Sequence, residues 1–183
     1  VAYNVGFGGR QSQWYVPRPN NNGFTSRESM NADPAWPNLV TMFFAQADAL
    51  RSKNFLWMKR DGAYRPLDWR QTADQVVRLA RGLKTLGVGP GDRVALVSEN
   101  RPEWLIAEVA IMATGAIAVP AYTTNTEGDH LHILTNSGAK GAIVSNRRLA
   151  GRLVPAAHRA AEMQFVIALE PPDITQHLTV DIH

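Results

Sequence analysis

The chain has 183 residues, a formal net charge of +3 and no cysteine, so it can hold one domain with a real core but no disulfide, thiol nucleophile or thiolate metal site. Apolar residues make up 45% and charged residues 19%, as in ordinary globular domains; the small positive excess reads as scattered, with no Lys/Arg run long enough for a nucleic-acid or lipid tract. No apolar run approaches the ~20 residues of a membrane span, and the N-terminus lacks the charged-then-apolar layout of a signal peptide. A cysteine-free chain of this kind is compatible with the cytoplasm.

Residues 1–35 are rich in Gly, Asn, Pro and Ser and show neither a helical nor a strand period, a composition that favours irregular chain. Met30 offers a natural start, which would make the first 29 residues a leader or a cloning remnant. The alternative is a natural extension draped over the domain, with Tyr3, Phe7, Trp14 and Tyr15 seated in a surface groove.

Regular structure is expected from Trp36. Leu39, Val40, Phe43, Phe44, Ala47 and Leu50 recur at helical spacing. Phe55 and Trp57, then Asp61-Gly62, then Tyr64 to Leu67 predict a short β-hairpin. Asp68 with Gln71 three residues on predicts a capping box, opening a helix that buries Val76, Val77, Leu79, Ala80, Leu83 and Leu86 and closes at Gly87. The turn Gly89-Pro90-Gly91-Asp92 leads to a strand over 93–98. Asn100, with Glu103 three on and Pro102 in the first turn, is read as the cap of an apolar helix running to Thr114 and ended by Gly115. A strand over 117–122 follows. Thr126 and Asp129 open a helix with Leu131, Ile133 and Leu134 on its core face, stopped by Ser137-Gly138. A strand over 141–145, a helix from Arg147 to Ala161 and a strand over 165–169 complete the series. The tail 170–183 shows no partner and reads as a linker.

Four apolar strands alternating with helices predict an α/β fold, a parallel sheet flanked by helices on both faces with the small hairpin near its N-terminal end. The domain spans 36–169.

Three motifs bear on chemistry. Gly87-Val88-Gly89-Pro90-Gly91 is glycine-rich but precedes a strand. A dinucleotide loop follows a strand and opens a helix, so the structural turn is favoured, and with no strand–GxGxxG–helix a Rossmann-type nucleotide binder is disfavoured. Pro120 to Thr126 lies at a strand's carboxyl end and leads into a helix, where open α/β sheets collect ligands; its hydroxyls suit a polar or anionic group, or else cap their own backbone. Arg148, Arg152 and Arg159 share a helix face that could receive a phosphate or simply meet water. His130 and His132 are two apart and point in nearly opposite directions, so no metal site is expected. Asp61, Asp68 and Asp92 are better explained as turn or cap residues than as general acids, and no Ser/His/Asp constellation can be assembled.

Leu67-Asp68-Trp69, the run from Gly82 to Ala95, Ser98-Glu99-Asn100-Arg101-Pro102-Glu103-Trp104, Gly115 to Pro120 and Asn136 to Lys140 together resemble the N-terminal part of the adenylate-forming (AMP-binding, acyl-CoA synthetase) superfamily. Ala121 to Asn125 and Asp129 to Leu134 look most like bacterial long-chain fatty-acid–CoA ligases. The resemblance covers about Trp36 to Leu169. It implies a parent enzyme in which a fatty carboxylate attacks the α-phosphate of ATP with Mg²⁺ offsetting charge, and CoA thiol then displaces AMP.

The family's phosphate loop, adenine-binding segment, hinge and catalytic lysine have no counterpart in these residues, so no catalytic residue and no metal ligand is carried over, the chain alone is expected to be inactive, and no cofactor is expected to bind it tightly. The resemblance does place the nucleotide end of CoA near Tyr122 and Thr123 and near the helix with Arg148 and Arg152. It leaves a peripheral membrane association open, and the apolar surface meant for the remainder is a candidate homodimer contact. The competing readings are a fatty-acyl-AMP ligase or another carboxylate-activating enzyme, and a non-catalytic binding or assembly module. Nucleic acid is not an expected partner, and acyl chain length is not readable.

Overall fold

The computed structural model describes residues 36–170 and the backbone of 181–182. Residues 1–35, with Met30 and the aromatics of that segment, lie outside the described residues. The elements run α1 (Leu39–Leu50), the hairpin strands β1 (Asn54–Arg60) and β2 (Ala63–Asp68), then α2 (Trp69–Thr85), β3 (Arg93–Val97), α3 (Pro102–Ala113), β4 (Ile117–Pro120), α4 (Glu127–Ser137), β5 (Gly141–Val144), α5 (Arg147–Arg159), β6 (Phe165–Ala168) and β7 (Asp181–Ile182). The expected α/β architecture and the antiparallel hairpin are both present.

Helix boundaries follow from their caps. Asp68 accepts the backbone N–H of Gln71 at 2.7 Å while the Gln71 side chain accepts the N–H of Asp68 at 3.1 Å, so two orphan donors of α2 are satisfied reciprocally. At the other end Val88 N–H reaches Leu83 O and Gly87 N–H reaches Lys84 O, both at 3.0 Å. That is a Schellman closure, and it needs a left-handed residue, supplied by Gly87 at φ 82. Thr126 and Asp129 form the same reciprocal box on α4.

The expected cap of α3 is corrected. Arg101, not Asn100, stands at that position, in extended backbone and without a side-chain cap bond. Proline disfavours helical backbone in the residue before it, so Pro102 fixes Arg101 outside the helix and takes the first helical position itself. Glu103 is then free to pair with the Arg101 guanidinium at 2.9 Å.

β3, β4, β5, β6 and β7 form one parallel sheet in the order β4-β3-β5-β6-β7. The tail is therefore not without a partner throughout: Asp181–Ile182 add a fifth strand beside β6. β3 shows why the sheet is covered twice. Val94 and Leu96 pack with α1, α2 and α3 on one face, and Ala95 and Val97 pack with α4 and α5 on the other, the period of two that a strand imposes. Gly141 permits close approach of β6, since a Cβ there would run into the ring of Phe165.

α3 joins β3 to β4 across one face, while α5 joins β5 to β6 across the other, yet β3 and β5 are neighbours. The loops leaving their carboxyl ends diverge, and the crevice between them is the switch point of the sheet.

Candidate functional site at the carboxyl edge of the sheet

Glu99, the second residue past β3, sits at that crevice. Its carboxylate accepts the Ser145 hydroxyl at 2.5 Å and the Asn146 amide at 2.6 Å, and the Arg148 guanidinium lies 3.6 Å away. Asn146 also caps α5 by accepting the Leu149 N–H at 3.0 Å. The Ser145 hydroxyl first, then the Asn146 amide and the Arg148 charge, hold the Glu99 carboxyl below its ordinary pKa against partial burial. One carboxylate thus ties the β3 loop to the start of α5. Sequence reasoning quoted Glu99 within a motif but gave it no role; the available signal was an acid two residues beyond an apolar strand end.

The four residues expected on the CoA side fall along the same edge. Tyr122 is 81% exposed, and Thr123 is half-buried in the loop from β4 to α4. Arg152 on α5 donates to the Asn125 carbonyl of that loop at 3.4 Å. Arg148 lies one turn earlier and faces Glu99 instead. The structure therefore joins Arg152 to the Tyr122 loop and Arg148 to the β3 loop.

The expected arginine face is unequal in charge. Arg148 has Glu99, and Arg159 has Glu127 at 3.0 Å. Among the described residues Arg152 meets no carboxylate within ion-pair distance. Beside it, His130 is 1% exposed, and its Nε2 has no hydrogen-bond partner among the described residues. Burial first, with Arg152 adding to it and Asp129 opposing, lowers the His130 pKa and keeps the ring neutral. His130 also adds to the expected core face of α4, where Leu134 is buried and Leu131 packs against the core. His130 and Leu134 are its buried residues, while Leu131 and Ile133 are half-buried. His132 is exposed, so the two imidazoles do face apart, and no cluster of metal-ligating side chains occurs among the described residues.

The N-terminus of α4 is closed by a reciprocal box that answers two of its donors. Thr126 accepts the Asp129 N–H, Asp129 accepts the Thr126 N–H at 2.9 Å, and Glu127 adds a second acid to the first turn. These carboxylates already meet the helix dipole, which favours the capped turn there over an anion site. The Gly87 to Gly91 segment lies at the opposite, amino end of β3. There Asp92 accepts from Gly89 N–H at 2.9 Å and from Lys140 Nζ at 3.1 Å, and Lys140 also donates to Gly87 O at 2.6 Å. It is a structural turn.

Residues 43–182 match the AMP-binding enzyme family, and the chain belongs to that family. It is 39% identical over 79 residues to the long-chain-fatty-acid–CoA ligase FadD15 of Mycobacterium tuberculosis, covering 43% of this chain and 13% of that protein. It is 29% identical over 103 residues to the chloroplastic long-chain-fatty-acid–[acyl-carrier-protein] ligase AEE15 of Arabidopsis thaliana, covering 56% of this chain and 14% of that one. A benzoate CoA ligase from Burkholderia xenovorans LB400 superposes with a TM-score of 0.63 at 25% identity, over 72% of this chain and 25% of the other. The chain thus spans a quarter or less of each, and its fold matches the N-terminal subdomain of adenylate-forming ligases.

Proposed function

We propose that this chain is the N-terminal portion of an ATP-dependent ligase that activates a fatty acid as its adenylate and passes the acyl group to CoA. The family match over residues 43–182 carries the reading, and the fatty-acid ligases among its relatives favour a fatty substrate. ATP, Mg²⁺ and CoA serve the whole enzyme. No Ser/Thr/Gly-rich phosphate loop occurs within the 183 residues, so the chain by itself turns nothing over.

Its own contribution is a surface for the nucleotide end of CoA, with Tyr122 offering a ring to the base and Thr123, Arg148 and Arg152 offering donors to phosphate. Arg152 supplies most of the attraction, because Arg148 already faces a carboxylate. Titration of the isotope-labelled chain with 3′-phospho-ADP, followed by amide shifts, tests this. The expected result is weak, saturable movement at Thr123, Asn125 and Arg152. Arg152→Gln should weaken it about tenfold, the worth of a charged hydrogen bond, and Arg148→Gln should weaken it less. Shifts elsewhere, or equal loss with both variants, would overturn the assignment.

One relative is an acyl-carrier-protein ligase, which favours a second reading in which the adenylate is delivered to another acceptor. The longest product of the coding sequence containing this chain, incubated with fatty acid, ATP and CoA, separates the two: acyl-CoA supports the first, and acyl-adenylate that CoA does not discharge supports the second.

A further inference from the structure

Ser145 is fully buried just past the end of β5. The register sets Val97 beside Val144, and the Ser145 N–H reaches the Val97 carbonyl at 3.1 Å. Glu99, two residues beyond Val97, thus arrives where the buried hydroxyl needs an acceptor. An acceptor is all that Ser145 and the Asn146 amide demand, and a glutamine carbonyl would answer either of them without a charge. The carboxylate is more than the local packing requires, and it stands at an edge otherwise suited to an anion.

That charge is also fixed in place. The Ser145 hydrogen bond above all keeps Glu99 below its ordinary pKa, so it is ionised at neutral pH. Arg148 approaches it at 3.6 Å, but the two side chains are 62% and 41% exposed, and a pair so open to water is weak. The bonds to Ser145 and Asn146 hold Glu99 whether or not Arg148 stays. Arg148 and Arg152 are four apart, neighbours on one helix face. With Glu99 against it, Arg148 brings no net charge, and of the two only Arg152 does.

We infer that Glu99 sets charge selectivity at the carboxyl edge: it reserves Arg148 and repels further negative charge, so the edge accepts one phosphate group at Arg152 and gains little from an added diphosphate. Glu99 is a positioning residue, acting through Arg148 and through its own field. The inference rests on the CoA reading of this edge.

Amide-shift titrations of the isotope-labelled chain with adenosine 3′-monophosphate and with 3′-phospho-ADP, at one fixed salt concentration, test it. In the unaltered chain the two affinities should agree within about threefold, since an exposed pair adds little. Glu99→Gln keeps the acceptor and removes the charge. It should strengthen 3′-phospho-ADP about tenfold, the worth of one charged hydrogen bond, and leave the monophosphate nearly unchanged. Adding Arg148→Gln to it should abolish the gain. Glu99→Ala should show the same gain with a lower thermal midpoint; a ratio that moves in Glu99→Ala and not in Glu99→Gln would mark a purely structural role and overturn the inference. The arginine Nε–H signals of the unaltered chain give a readout that needs no variant: saturating 3′-phospho-ADP should shift Arg152 and move Arg148 far less. An unchanged ratio in Glu99→Gln, or Arg148 shifting as far as Arg152, would overturn the inference and leave the CoA reading standing. Binding by neither nucleotide would remove both.

Discussion

Glu99 and His130 occupy opposite electrostatic situations, the first beside Arg148 and the second beside Arg152. Glu99 is ionised and fully engaged, its charge answered by Ser145, Asn146 and Arg148. His130 is buried with a nitrogen that meets no partner among the described residues, and burial outweighs the attraction of Asp129. A base whose folded pKa is depressed binds fewer protons folded than unfolded. It therefore stabilises at pH above the ordinary histidine value, near 6.5, and that stability is lost as pH falls below it. His130→Leu should consequently lose less stability than the unaltered chain between about pH 7 and pH 5, an interval that brackets the ordinary histidine pKa. Urea unfolding at the two pH values checks this, and equal losses would contradict it. Neither role was legible in the sequence. A histidine two residues from another gives no sign of which is buried, and Glu99 finds Ser145 only when β5 settles beside β3.

At the scale of elements, reciprocal caps made most boundaries readable. Asp68 with Gln71 and Thr126 with Asp129 satisfy their own helix ends, so local sequence alone specifies them. Thr126→Ala should cost about 1 kcal/mol, the usual worth of such a cap, measured as a shifted urea midpoint with unchanged slope. The same substitution leaves a first-turn donor unanswered at the mouth of the Tyr122 loop. Asn100 misled because it matches the cap pattern, while the steric demand of Pro102 on Arg101 was the stronger constraint. The core face of α4 was read incompletely for a related reason. Counting apolar residues selected Leu131, Ile133 and Leu134 and passed over His130, which the rotation of α4 against α5 buries beside Leu134.

For the whole molecule, helix–strand alternation announced a doubly covered parallel sheet, but not the order β4-β3-β5-β6-β7. Strand order is a tertiary property, and no local period records it. That order puts β3 beside β5, creates the switch point and gathers Glu99, Arg148 and Arg152 along one edge, with the Tyr122 loop beyond. We read that edge as the CoA surface of the proposed ligase. The most direct test of that account is ATP–pyrophosphate exchange by the longest product of the coding sequence containing this chain, assayed against a panel of carboxylic acids. The account predicts Mg²⁺-dependent exchange that requires a fatty acid. Absence of exchange with every carboxylate, from a folded and complete product, would contradict it.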